Sequence, residues 1–543
     1  MITTTLWTIG LGPAALLAVG VLPLRVGAGS TKLRLHLARG AASATLLLAL
    51  ITGYAVISYG ALRTPAFGVS GIGLGMYIDA LSALMFCLVS LIGLIVVAYS
   101  ANYMDGDPGQ NRFIRWLCLT LAAVLLVIIS GNLLQFAIAW VCTSVGLNRL
   151  LLFYPERQAA VLAARKKFLA SRLGEVFLVA AMVLLYRQFG TLDYDGLLVG
   201  ASMPAPPSIP LAVHLSALLL VLTAMLKSAQ FPLHGWLIEV METPTPVSAL
   251  LHAGIINAGG FLVLRFSGLI SLSTPTLYVL ALVGGLTALF GSIVMLAQTS
   301  VKVSLAYSTI AQMGFMMLEC GLGAFSAALL HILAHSFYKA HAFLSSGSVI
   351  DIARASWTPS PGGKPHPARV AISIAAVLAV TIAIGSFFGA SIIERPGDFT
   401  LGAVVVLALI LLVANGIDER PNGYVVVRTG VLAAVVAFTY FELQLLMEHL
   451  VAGSVPRTQA ARGPLDVAFV ALIILSFGMV TLFQSLLPGA AAQPRWKALY
   501  AHISNGFYVN TLANRWVLGL WPSPPRVAAG TRLADATAAR DAK

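Results

Sequence analysis

Charge is scarce in this 543-residue chain: Asp, Glu, Lys and Arg make up 10% of it, against 59% hydrophobic residues. Mean hydropathy is +0.90. So little charge excludes a soluble globular protein of this length, in which about a quarter of residues are charged. Many apolar runs are long enough to cross a hydrocarbon layer about 30 Å thick. Those runs lack apolar–polar alternation, which excludes a β-barrel. Cysteine is also rare. Cys87, Cys118, Cys142 and Cys320 are scattered through apolar segments with no CxxC pair. That argues against a disulfide framework, an iron–sulfur centre or a cysteine zinc site in this chain. Acidic residues number 20 against 33 Lys and Arg, a net charge of +13. The basic residues are spread among short loops, which fits membrane orientation and argues against a nucleic-acid partner. No basic stretch precedes the first apolar run, Leu6 to Leu24, so it reads as a retained helix rather than a cleaved signal.

The expected fold class is all-α, a polytopic membrane protein of about fourteen to sixteen transmembrane helices. Fifteen candidate spans lie near 5–24, 40–59, 76–98, 115–130, 132–152, 168–186, 211–230, 245–267, 276–297, 303–322, 324–350, 370–390, 400–414, 425–447 and 466–487. With the N-terminus outside, the inside loops collect Arg25, Lys32, Arg34, Arg39, Arg157, Arg165, Lys166, Lys167, Arg354, Lys364 and Arg369. Outside loops hold only scattered basic residues such as Arg63, Arg395, Arg457 and Arg462. An odd count then places the C-terminus in the cytoplasm. No loop could fold as a soluble domain; the longest, Gly190–Pro210 and Asp351–Arg369, are rich in Pro, Gly or Ser. Beyond the last span, Pro494 to Leu520 mixes aromatic and basic residues and reads as an amphipathic segment on the inner membrane surface or under a partner. Trp521 to Lys543 has the composition of a disordered end.

One stretch organises the rest. Ala224 to Phe261 reads AMLKSAQFPLHGWLIEVMETPTPVSALLHAGIINAGGF. Lys227 ends an apolar helix just before Phe231-Pro232, and proline there breaks or kinks a helix. Thr243-Pro244-Thr245-Pro246 interrupts the chain again before a new apolar helix that carries His252. A lysine beside a break inside a membrane is costly to keep and marks a functional candidate; the alternative is a lysine that snorkels to the interface.

Leu329 to Val349 places His331, His335 and Lys339 at intervals of four, one stripe on a helix, with His341 on another side. HxxxH raises a metal site, but a third ligand is missing and lysine is a poor one. A hydrated proton path and helix–helix glue are the other readings, since neutral imidazole both donates and accepts. In the sixth span Glu175 lies deep enough to need a partner. Lys227 is the candidate, and an interface pair with Arg172 is the alternative. Lys302 opens a span where a lysine could also snorkel. Glu319, Asn415, Asp418, Glu419 and Glu442 lie near span ends without an evident role.

The segments KSAQFPLHGWLIEVMETPTPVSALLHAGIINAGG, VKVSLAYSTIAQMG, HILAHSFYKAHAFLSSGSVI and RLGEVFL together resemble the antiporter-like membrane subunits of respiratory complex I and of Mrp cation/proton antiporters. The resemblance runs from about Tyr77 to about Ile352. It implies two inverted five-helix repeats with broken helices, and a chain of Lys, Glu and His across the membrane. Matching positions put Lys227, His252, Lys302, His331, His335 and Lys339 on that chain. The implied organisation is 1–110 N-terminal helices, 111–270 and 271–420 the two repeats, 421–490 C-terminal helices and 491–543 a cytoplasmic tail. Departures stand out. Trp140-Val141 replaces the family's Trp-Glu, so the usual carboxylate partner of the lysine is missing. Gly385-Ser386-Phe387-Phe388-Gly389-Ala390 lacks the charged residue of the second broken helix, and Ser300 stands where Asp usually precedes the Lys302 position.

These departures, the length, Leu251–Gly260 and the tail ALYAHISNGFYVNTLANRW look most like one branch, the DabB membrane subunits of the DAB inorganic carbon complexes. That branch implies a hetero-oligomer in the inner membrane with a DabA-like cytoplasmic zinc protein akin to β-carbonic anhydrases. Zinc would belong to that partner; no cofactor and no catalytic site are expected in this chain. Cation entry, with protons and sodium both open, would drive hydration of CO2 to bicarbonate. The alternatives are a proton-pumping subunit of a complex I or hydrogenase relative, an Mrp-type antiporter subunit, and a structural anchor that conducts nothing. The missing carboxylate at Val141 counts against a pump, and the His/Lys stripe against an anchor.

Overall fold

The computed structural model describes residues 6–23, 28–65, 67–69, 72–197, 209–346, part of 375–391, 393–416, 423–457, 463–490 and 494–521. Nine helices among them are long and apolar enough to cross a membrane; Leu6–Val21, Leu211–Lys227 and Pro396–Ile410 are shorter apolar helices. The chain is an all-α polytopic membrane protein. The expected span near 370–390, the loop Asp351–Arg369 and the end beyond Trp521 lie wholly or largely outside the described residues.

In chain order the helices begin with α1 (Leu11–Val21), α2 (Ala28–Tyr59), α3 (Ala80–Tyr103), α4 (Gln110–Ile129), α5 (Leu133–Leu151), α6 (Gln158–Phe189) and α7 (Leu211–Lys227). The short α8 (Gly235–Glu239), α9 (Thr245–Ala253), α10 (Ala258–Arg265) and α11 (Ser267–Ser271) follow. Next come α12 (Thr274–Leu296), α13 (Val301–Gly321), α14 (Phe325–Leu344), α15 (Pro396–Gly416), α16 (Gly423–Leu450) and α17 (Pro464–Ala490). The tail folds as α18 (Pro494–Ser504) and α19 (Val509–Leu520).

Helices rather than loops carry several of the basic residues expected in loops. Lys32, Arg34 and Arg39 belong to α2, and Arg165, Lys166 and Lys167 to α6, each helix 32 residues long. At 1.5 Å per residue such a helix outruns the hydrocarbon, so its charged turns project past the apolar layer while staying helical. Arg34 there donates to the carbonyls of Val19 and Leu22, both at 2.8 Å, which caps the end of α1. A second difference is a little β-structure between α2 and α3. Strands β1 (Leu62–Arg63) and β4 (Tyr77–Ile78) pair antiparallel, as do β2 (Phe67–Val69) and β3 (Ile72–Leu74). This Gly-rich stretch cannot hold a helix, so its backbone groups pair across the hairpin instead.

Two faces of the bundle can be told apart by their contacts. On the hairpin face, bridges join Met76 to Ser130 and Asn132 to Asp193. On the opposite, tail face, the Tyr154 hydroxyl donates to Asp107 at 2.8 Å and Arg157 to the Glu242 carbonyl at 2.8 Å. Between the faces, α12 and α13 run in backbone contact. A Cβ on Gly284 would lie 2.5 Å from the Leu318 nitrogen, and one on Gly314 2.5 Å from the Ala288 nitrogen, so only glycine fits.

A buried ion pair ties the hairpin face to the core. Arg265, ending α10, makes two parallel 2.9 Å bonds to Asp79, which also caps α3 by accepting from the Ser82 nitrogen at 3.0 Å. Both side chains are almost fully buried. Removing one partner strands the other charge, so Asp79→Ala should cost about 3–5 kcal/mol. Thermal unfolding of the detergent-purified protein checks this, and the double variant Asp79→Leu/Arg265→Leu should recover most of the loss.

Candidate functional site

Two helix breaks lie side by side in the middle of the bundle. The first runs from Ser228 to His234, between α7 and α8, and holds Ala229 at φ 49°, a left-handed backbone that alanine rarely adopts. The second spans Gly254 to Asn257, between α9 and α10. Water is absent from hydrocarbon, so freed backbone groups need protein partners. They find them here. Thr287 accepts from the Phe231 nitrogen at 3.0 Å, and Ser228 donates to the Ile256 carbonyl at 2.9 Å, which ties one break to the other. Asn257 donates to the Ala253 carbonyl at 3.1 Å and to Ser336 at 2.7 Å.

The first polar cluster forms at the end of α7. Lys227 is the last residue of that helix, where unpaired carbonyls favour a cation. Its ammonium donates to the Ser144 hydroxyl at 3.2 Å and lies 4.5 Å from the centre of the Trp140 ring. Lys167 reaches the Ser144 carbonyl at 2.6 Å. Glu175 forms its ion pair with Arg172 at 2.7 Å, the alternative that the sequence left open, and also interacts with Ser144. Lys227 and Glu175 therefore share one hydroxyl instead of a direct ion pair.

The second cluster is strung along α13. Lys302, in its first turn, donates to Thr245 at 3.3 Å. The Leu305 carbonyl accepts from both Lys339, at 3.1 Å, and Thr309, at 3.1 Å. Thr309 in turn bonds His252 Nδ1 at 2.9 Å, so His252 and Lys339 join through one hydroxyl and one carbonyl. His335 reaches the His252 backbone. The rings of His335 and His331 have centres 6.2 Å apart. His331 Nδ1 meets both oxygens of Glu319, each at 3.1 Å. Lys339 is fully buried and His335 nearly so, whereas His341 is exposed. On one stripe, His331 and Lys339 thus meet α13, while His335 between them faces His252 on α9.

The two clusters are not joined. Among the described residues no hydrogen bond links Lys227 to His252, and a cavity of about 10 Å³, room for about one water, lies beside Lys227. Trp236, Leu251, Ile255 and Ile256 wall it in. No three His, Cys, Asp or Glu side chains gather into a metal-binding group among the described residues.

Sequence reasoning missed Glu319, the carboxylate that ends this series. The signal was present, because a turn of three residues joins α13 to α14 and sets the end of one helix against the start of the next. His234 was also passed over. It is buried in the first break, its ring 4.8 Å from that of Phe290 between centres. Asn415, Asp418 and Glu419 lie where no side chains are described. Gly385, Ser386, Phe387 and Gly389 are described, Phe388 and Ala390 are not.

Residues 130–357 match the transmembrane family of NADH:quinone oxidoreductases and Mrp antiporters, and that segment contains every candidate site residue. Residues 67–114 match the N-terminal family of complex I chain 5. A probable inorganic carbon transporter subunit, DabB2 of Halothiobacillus neapolitanus, is 38% identical across 94% of this chain and 93% of its own length. The probable subunit DabB of Hydrogenovibrio crunogenus is 36% identical across 82% of this chain and 83% of its own. One chain in the structure of the Mrp complex from Dietzia sp. DQ12-45-1b has the same fold, with a TM-score of 0.61 at 22% identity. The match covers 98% of this chain and 60% of that one.

Ser144 is the hydroxyl on which the first cluster turns. Ser144→Ala should cost about 1–3 kcal/mol, the loss expected when a buried charged donor loses its acceptor. Thermal unfolding in detergent measures it, and Ser144→Thr should restore most of the stability.

Proposed function

The chain belongs to the family of DabB-type inorganic carbon transporter subunits, within the complex I and Mrp antiporter-like superfamily, and from that premise we propose that it is a proton-conducting subunit that energises inorganic carbon uptake. The observation that carries this is the polar series along α13. From Lys302 to Glu319 is 17 helical steps, about 25 Å at 1.5 Å each, most of a hydrocarbon core about 30 Å thick. Lys302, Lys339, His252, His335, His331 and Glu319 follow one another over that length. Neutral imidazole accepts a proton on one nitrogen and releases one from the other, so His252, His335 and His331 suit a relay. Lys339 has no carboxylate partner among the described residues, so no ion pair holds its ammonium in one state. Lys227, Lys167 and Glu175 form a second charged centre, and wetting of the apolar wall between Trp236 and Ile256 would join the two.

The proposed frame is that of the superfamily: fourteen to sixteen spans, with 111–270 and 271–420 as inverted five-helix repeats, residues 1–110 and 421–490 flanking them and 491–543 as the tail. In the inner membrane, the positive-inside rule favours the N-terminus outside and the tail in the cytoplasm. There a DabA-like zinc protein would hydrate CO2 to bicarbonate, seated partly on Pro494–Leu520. This chain would contribute proton entry and the seat, with the zinc on the partner. An Mrp-type antiporter or a redox-coupled pump is the second reading. The fold likeness to the Mrp complex favours it, and Val141 in place of the usual glutamate opposes it.

Lys339→Ala should abolish growth in air of a strain that lacks its own carbon uptake, with the protein still folded and the complex still assembled. His341→Ala, exposed and off the stripe, should grow nearly as wild type. Full rescue by Lys339→Ala would reduce the stripe to helix–helix glue. Deleting 494–543 should release the zinc protein from membranes, as read by co-purification; unchanged co-purification would remove the tail as its seat.

A further inference from the structure

The tail helix α19 lies across the first turns of α6 and against α8, and a buried polar clamp holds it there. Asn510 and Asn514, one turn apart, accept from Lys166 Nζ at 2.7 and 2.6 Å. Both donate to one oxygen of Glu239, at 3.1 and 2.8 Å, and that oxygen pairs with Lys166 at 2.7 Å. Gly235 makes room, because a Cβ there would overlap the Asn510 side chain.

Beside the clamp, α19 stands away from α6 and leaves a cleft of about 670 Å³. Small-molecule sites occupy about 300–1,000 Å³, so this one is large enough for a ligand. Leu169, Leu173, Trp236, Leu512 and Trp516 form apolar walls, and the charged residues that line it among the described ones, Lys166 and Arg515, are both basic. Lys166 is neutralised by Glu239. Arg515 is exposed and has no ion pair or hydrogen bond among the described residues. The whole tail from Pro494 to Leu520 carries Arg495, Lys497 and Arg515 and no acidic residue.

Two features decide what such a cleft takes. Its α6 wall runs on, past the Arg172–Glu175 ion pair, into exposed Val176, Val179 and Val183. On a membrane-spanning helix that stripe faces hydrocarbon, so the cleft is open to acyl chains from the bilayer. Its polar end offers an unpaired guanidinium, the complement of a phosphodiester. We propose that this cleft binds an anionic phospholipid, with one acyl chain against Leu169, Leu173 and Leu512 and the phosphate at Arg515. The lipid would fill the space between the tail and the first broken helix. This site does not depend on ion conduction and is tested separately from it.

The full-length protein, with any co-purifying partner, is taken into mild detergent and followed by native mass spectrometry. Phosphatidylglycerol and phosphatidylcholine of identical chains are titrated in. Wild type should retain phosphatidylglycerol about fivefold better, the effect of one basic residue on an anionic lipid. Arg515→Gln should erase that preference. Ala513→Trp or Leu173→Trp, which fill the cleft from opposite walls, should lower retention of both lipids. Hydrogen exchange across 509–520 identifies the variant in which the tail stays clamped. Retention equal to wild type in a filled, clamped variant overturns the proposal. So does a preference unchanged by Arg515→Gln. No retained lipid, with a co-purifying protein cross-linked into the cleft, marks a protein seat and overturns it as well.

Discussion

A lysine ammonium held in the middle of the helix bundle, with the Glu175 carboxylate across a serine hydroxyl rather than in direct contact, is the constraint on which this structure turns. Burying an unpaired cation is among the most expensive things a helix bundle can do. Here the cost is offset by three weaker contacts. The helix ends at Lys227, so its last carbonyls turn their negative ends toward the charge. The Trp140 ring offers its face, and Ser144 its hydroxyl. Ending the helix creates the next demand, since Ala229 to His234 leave backbone groups unpaired. Thr287, Ile256 and the close approach of Gly259 to Ser228 and Ala224 answer it. The second break then follows from the first, because the Ile256 carbonyl that accepts from Ser228 is itself freed by a break.

The second cluster is built differently. Helix α13 supplies Lys302, the Leu305 carbonyl, Thr309 and Glu319, and α14 brings Lys339 and His331 against it, with His335 between them facing His252. Polar groups are few, and they are spread along the length from Lys302 to Glu319, with the rings of His335 and His331 6.2 Å apart between centres. The apolar wall beside Lys227 interrupts the way to the other charged centre. Charge in one cluster therefore acts on the other through a low-dielectric barrier, where electrostatic effects are stronger than in water.

Lys166 and Lys167 connect the membrane interior to the tail. They are consecutive on α6, so their side chains diverge by about 100°. Lys167 turns inward to the Ser144 carbonyl, and Lys166 turns to Asn510, Asn514 and Glu239. A small rotation of that turn would move both ends together.

Composition and periodicity by themselves determined the all-α membrane class, the approximate helix positions, the breaks at Pro232 and Pro244, and the His331–His335–Lys339 stripe. These are properties of one segment at a time: apolar length fits the hydrocarbon, proline cannot continue a helix, and residues four apart share a face. Only the tertiary structure decided who meets whom. Nothing local says that Ser144 stands between Lys227 and Glu175, that the Leu305 carbonyl joins Lys339 to Thr309, or that Glu319 closes on His331. Arg265 reaching Asp79 spans 186 residues of sequence, and the tail clamping on Glu239 and Lys166 spans 271 to 348. The physical reason is that a bilayer interior offers no water to satisfy a charge or a broken backbone, so partners come from whichever helices pack nearby. Which helices those are depends on small-residue contacts such as Gly284 against Gly314, and no single segment encodes that choice.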